Sequence, residues 1–93
     1  MSTTTVTVEI VRYEEDATFF VDSAKFDGND RRDEAQKWAR TALANHRAMS
    51  TFPDDLYAYF SEDMRGWFGE PNESLAYAYL FHPDEPITWE DEP

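Results

Sequence analysis

Cysteine is absent from the sequence, so neither a disulfide framework nor a thiolate ligand or nucleophile exists. Glycine occurs only three times and never forms a phosphate-cradling loop. The two histidines, His46 and His82, lie far apart and in no zinc-type spacing. No apolar run approaches the length of a membrane span, and no basic segment followed by an apolar one opens the chain. Positive charge is scarce as well: lysine and arginine together number 8, with lysine only at Lys25 and Lys37. The expectation from these absences is a soluble, cytoplasmic protein without metal, cofactor or membrane anchor, and its acidity disfavours direct binding to nucleic acid.

What the chain does have is acid. Twenty Asp and Glu residues in 93 give a formal net charge of −12. Self-repulsion on that scale opposes compaction, so the charge speaks of partners, solubility or salt rather than of fold. It is also uneven. Residues 1–30 carry seven acids against two bases, residues 31–50 two against five, and residues 51–93 eleven against one. Aromatic residues make up 16% of the chain. Each buried aromatic removes about 150–250 Å² from water, which gives so short a chain a dense core and argues against disorder.

The length predicts one domain over residues 1–93, with an acidic C-terminal tail from about residue 83. Val6, Val8 and Ile10 alternate with Thr5, Thr7 and Glu9, which predicts a half-buried strand over 5–12. Glu14-Glu15-Asp16 reads as a turn, followed by a second strand over 17–22 with an extension to Phe26. Asp27-Gly28-Asn29 stops it; this stretch is a turn and helix cap, since the alternation and distal Glu of a calcium loop are missing. Ala35, Trp38, Ala39, Ala42, His46 and Met49 recur at helical spacing, flanked by Leu43, and predict a helix over 31–49. Trp38, Ala39, Ala42 and Leu43 are its expected buried face, with Arg40 and Arg47 on the solvated side.

Pro53-Asp54-Asp55 reads as a second helix start, with Leu56, Tyr57, Phe60, Met64, Trp67 and Phe68 as a partial apolar stripe to about residue 68. Gly69 and Pro71 end it. Leu75, Tyr77, Tyr79 and Phe81 predict one face of a third strand, and Ile87-Thr88-Trp89 a short edge strand. The expected fold is α+β: a small antiparallel sheet with one long amphipathic helix and a second shorter helix, in the order β-β-α-α-β.

No catalytic constellation competes with the charge. Adjacent carboxylates such as Asp54-Asp55 and Glu62-Asp63 are expected by chance among twenty acids, and no serine has an identifiable base partner. The reading is therefore non-enzymatic. Three uses of the acids remain open: a decoy for a basic groove, salt adaptation, or an accessory domain kept soluble by charge. DNA carries about one charge per 1.7 Å of axis, and its readers neutralise it with Lys and Arg. Carboxylates about 7 Å apart, two residues along a strand, can occupy the same groove, since Arg–carboxylate and Arg–phosphate forks share a geometry. Tyr57, Tyr59, Trp67, Tyr77, Tyr79 and Trp89 would then anchor a protein interface.

The length, the −12 charge, the missing cysteine, the strand–strand–helix start from Thr4 to Met49 and the acid-rich half from Asp54 to Glu92 give a chain that resembles the small acidic phage proteins that disarm bacterial defence, the anti-CRISPR and DNA-mimic inhibitors among them. The basic helix departs from a uniformly acidic mimic. The resemblance implies a monomeric inhibitor of a basic DNA- or RNA-binding protein or complex, such as a CRISPR surveillance complex, that blocks target DNA binding. The expected contact residues are Glu14, Glu15 and Asp16 in the first turn, then Asp54 and Asp55, Glu62 and Asp63, and Glu70 and Glu73. The tail acids Glu90, Asp91 and Glu92 are expected to be mobile and to matter less.

Overall fold

The computed structural model describes residues 3–65 and 71–91. Strands β1 (Thr3–Glu14) and β2 (Ala17–Asp27) form a hairpin, helix α1 (Arg31–Met49) follows, and β3 (Leu56–Arg65), β4 (Pro71–Leu80) and the two-residue β5 (Glu90–Asp91) complete the sheet. The strand order is β2-β1-β3-β4-β5, and every neighbouring pair is antiparallel. β2 and β3 flank β1 on opposite sides, so the chain leaves β2, crosses one face as α1 and returns as β3, a split β-α-β arrangement. Among the described residues no helix is long and apolar enough to cross a membrane.

The hairpin turns on Glu15 and Asp16 alone, with Glu14 opposite Ala17. Both turn residues have positive φ, 41° and 65°, as a type I′ turn requires. Gly28, at φ 94°, makes the left-handed turn out of β2. Asp33 and Glu34 lie in the first turn of α1 and His46 and Arg47 in the last, each matching the helix dipole. Asp30 occupies the cap position without a side-chain capping hydrogen bond. Ala35, Ala39, Ala42 and Leu43 are buried, and three alanines let the helix axis lie close to the sheet. Trp38 differs from expectation: it is half-buried, packed on the core edge with its ring 6.3 Å from that of Phe26.

The core lies between α1 and one face of the sheet. Val6, Val8 and Ile10 of β1, Ala58 and Phe60 of β3, and Ala78 and Leu80 of β4 all point there. Trp89 closes the far edge, half-buried against the core with its ring edge-on to Phe60 at 5.7 Å.

The expected second helix does not form, and the order β-β-α-α-β is corrected to β-β-α-β-β-β with one 3-10 turn, Pro53–Asp55, before β3. Proline and two acids do start a helical turn there, but Leu56 ends it in extended backbone. From Leu56 the pattern is alternating: Leu56, Ala58, Phe60 and Glu62 are buried while Tyr57, Tyr59, Ser61 and Asp63 are not. Aromatic residues at every other site favour a pleated strand. Leu56 and Phe60, four residues apart, share a face in a helix and in a strand alike, and Tyr57 fits the helical stripe only. Glu62, a charge at an inward position, hid the strand. Its position is permitted only because α1 supplies two guanidinia from thirty residues away. Trp67 and Phe68, the end of the supposed stripe, lie outside the described residues. The expected edge strand at 87–89 falls instead at Glu90–Asp91.

Candidate functional site

Four of the five cations of the basic segment turn toward the protein, and Lys37 stays exposed. Arg31 and Arg32 both bind Glu62, which is 1% exposed: Arg31 Nε donates to Oε1 and Arg32 Nε to Oε2, each at 2.7 Å. Arg32 also reaches Asp91 and lies over the Trp89 ring, 4.6 Å from its centroid. Burial opposes the Arg32 charge, and the hydrogen bonds with Glu62 and Asp91 more than offset it, so its pKa moves up from the ordinary guanidinium value. Arg40 donates to the carbonyls of Pro83 and Glu85 at 2.6 and 2.8 Å. Arg47 donates to the Phe81 carbonyl at 2.9 Å and to Asp54 at 3.1 Å. All four arginines of α1 therefore staple the helix to β3 and to the chain beyond β4. The expected solvated basic face is not there. Asp91, expected to be mobile, is one end of a staple.

Carboxylates gather at one end of the sheet. Arg12 opposes Leu56 in the register, so the hairpin turn with Glu14, Glu15 and Asp16 and the 3-10 turn with Asp54 and Asp55 lie at the same end of the sheet. Two of these five acids have a cation: Glu14 pairs with Arg12 at 2.8 Å and Asp54 with Arg47 at 3.1 Å, and the Asp54 side chain is still 94% exposed. No salt bridge among the described residues involves Glu15, Asp16 or Asp55. Glu15 carries a conformational cost, because φ 41° suits asparagine or glycine far better.

The remaining expected contact residues are scattered. Glu62 is buried and already paired, so it is unavailable to a partner. Asp63 stands toward the opposite end of β3 and accepts from Ser74 Oγ at 2.8 Å. Glu73 faces Met64 in the register, and nothing of its side chain is described. Glu70 lies outside the described residues.

The sheet face away from α1 carries what the charge pattern missed. Cross-strand rows run Ser23–Glu9–Tyr59–Tyr79 and Lys25–Thr7–Ser61–Tyr77. The Tyr59 ring centroid lies 5.9 Å from that of Tyr77 and 5.3 Å from that of Tyr79; Tyr57 lies 5.6 Å from Phe81, and Tyr79 stacks on Phe81 at 6.1 Å. Tyr59 is pushed up to about 12 by burial first, then by the neighbouring Tyr77, Tyr79, Asp63 and Glu9. Tyr79 is 45% exposed and Phe81 57%. A groove of about 400 Å³ opens where this face meets the acidic end, lined by Tyr13, Asp54, Asp55, Tyr57, Tyr79 and Phe81. Among the described side chains Lys25, on the outer strand, is the one cation in these rows. Reading 56–65 as a strand would have placed Tyr57 and Tyr59 beside the β4 aromatics; the helical reading separated them.

His46 Nε2 lies 3.1 Å from Asp22 Oδ2 where α1 crosses β2, a structural position. Among the described residues no group of three or more His, Asp or Glu is placed to hold a metal ion. The arrangement defines a single-layer antiparallel sheet with one helix-covered face and one bare, acidic and aromatic face. No protein-family model, no curated protein and no solved structure matches the chain.

Proposed function

We propose that this protein is a non-enzymatic inhibitor, an acidic DNA mimic that occupies the Lys/Arg-lined nucleic-acid groove of a bacterial defence complex of the CRISPR surveillance kind and keeps target DNA out. The observation that carries this reading is the inward use of every α1 arginine. It turns four of the five cations of the basic segment toward the protein, Lys37 alone staying exposed, and leaves Glu14, Glu15, Asp16, Asp54 and Asp55 grouped at one end. Such an end is steered toward a basic channel at high on-rate, and fork-like Arg–carboxylate bonds then hold it. The strained Glu15 fits the same reading, since a carboxylate is retained where a neutral residue would cost less. The test is a competition: a surveillance complex is saturated with this protein and titrated with its target duplex. Duplex binding is lost competitively, and the inhibition weakens as salt rises. Full duplex affinity in the saturated complex would overturn the mimic.

A further inference from the structure

The groove between the acidic end and the open sheet face has a composition that a purely electrostatic mimic does not need. Four of its six lining residues are aromatic, Tyr13, Tyr57, Tyr79 and Phe81, and the other two are Asp54 and Asp55. Tyr13, Tyr79 and Phe81 are each close to half exposed, although aromatic rings of this size gain most by burial. π-faces next to carboxylates match one side chain in particular. A guanidinium is planar, weakly hydrated, stacks on rings and forks onto a carboxylate, whereas an ammonium is a compact, strongly hydrated point charge. The molecule already uses this chemistry twice on itself, with Arg12 over Phe19 at 5.2 Å and Arg32 over Trp89 at 4.6 Å. Nucleic acid would also stack on such rings, but its phosphates would meet Asp54 and Asp55. A second copy of this face would bring the same carboxylates against each other.

We infer that this groove is an arginine-binding site, which takes an arginine side chain of the basic partner between Tyr79, Phe81 and Tyr57, with its guanidinium on Asp55 and the outward oxygen of Asp54. The inference rests on the partner being basic, as proposed above, and adds that recognition selects arginine over lysine. The acidic turn supplies attraction at a distance, and the groove supplies the selectivity.

The test uses the full chain, an arginine octapeptide and a lysine octapeptide of equal charge, with binding measured by calorimetry at about 0.15 M salt. The arginine peptide binds more tightly, by about two- to fivefold per ring contact. Phe81→Leu keeps apolar volume but removes the π-face; it lowers arginine-peptide affinity several-fold and leaves lysine-peptide affinity unchanged. Tyr79→Phe keeps the ring and retains the preference. Asp55→Asn reduces it. Reversal of Glu14 and Glu15 weakens both peptides equally, because those acids act through field alone. Equal affinity for the two peptides, or an arginine preference that survives Phe81→Leu, overturns the inference. So does a concentration-dependent dimer in sedimentation that Phe81→Leu abolishes, which would give the face to a second copy, or tight binding of a single-stranded oligonucleotide. The two proposals fail separately. If Phe81→Leu still competes with duplex at full strength, the mimic stands without the groove; if the arginine preference holds but duplex is never displaced, the groove stands without the mimic.

Discussion

Beneath α1 the sheet presents Val6, Val8, Ile10, Ala58, Phe60, Ala78 and Leu80, and the carboxylate of Glu62 is met there by two guanidinia. On the other face the same strands present Glu9, Tyr57, Tyr59, Tyr77, Tyr79 and Asp63, with the hydroxyls of Ser74 and Ser61 donating to Asp63. The two faces differ by a single residue of phase, because side chains alternate with period two. On the covered face aromatic area and charge are both withdrawn from water and hold the fold together. On the open face the rings pack on one another and are only half withdrawn from water, so Tyr79 and Phe81 keep surface available to a partner. The four arginines of α1 go with the first face, while Glu9 and Asp63 stand on the second. A net charge of −12 is thereby sorted into an interior that is balanced and an exterior that is not.

The contrast breaks first at Phe60. Phe60→Ala, at a fully buried ring, is expected to cost about 3–5 kcal/mol in chemical denaturation, while Phe81→Ala, which loses only its packing on Tyr57 and Tyr79, costs about 0.5–1.5 kcal/mol. Equal costs would mean that the open face is structural. Next comes the buried charge. Arg31→Ala with Arg32→Ala leaves Glu62 uncompensated and is expected to cost about 3–5 kcal/mol; adding Glu62→Leu should recover most of that loss, since removing a whole buried ion cluster is close to neutral. A triple variant no more stable than the double would refute this account of the staple.

The open face has its own pH signature. The Tyr59 pKa is raised from 10.0 to about 12, so the folded state favours the protonated phenol more than the unfolded chain does. That contribution is complete below about pH 10 and is lost as pH rises toward about 12. Melting temperature should fall across that window, and less so in Tyr59→Phe, with tyrosinate absorbance reporting the titration directly. Smaller effects belong to the acidic end. Glu15→Asn is expected to stabilise the hairpin by up to about 1 kcal/mol, by relieving the positive φ, while weakening inhibition. Asp54→Lys with Asp55→Lys should change stability by less than about 1 kcal/mol and abolish competition with duplex. The smallest expected response is to salt itself. Circular dichroism should show a folded domain in dilute buffer; unfolding below about 0.5 M salt would instead favour salt adaptation.

Local pattern was enough for the first half of the chain. The alternation of Val6, Val8 and Ile10, the polar turn at 14–16, the stop at Gly28 and the helical stripe from Ala35 to Leu43 each specify an element through contacts between near neighbours, and β1, β2 and α1 stand where those patterns put them. The acidic surplus and the grouping of Glu14 to Asp16 were equally plain. The segment after Pro53 was not legible in this way. Leu56 and Phe60 fit a helix and a strand alike, and the strand phase puts Glu62 inside, where its burial is tolerable only beside Arg31 and Arg32. Those residues are distant in sequence and adjacent only after α1 has crossed the sheet. For the same reason the arginines read as a solvated face, although each had a partner waiting in β3, in the 3-10 turn or beyond β4. The aromatic groove is assembled from β1, the 3-10 turn, β3 and β4, and no local pattern contains it. Composition set the sign of the surface, while the tertiary pairing of distant charges and the phase of β3 decided which acids and which rings that surface shows.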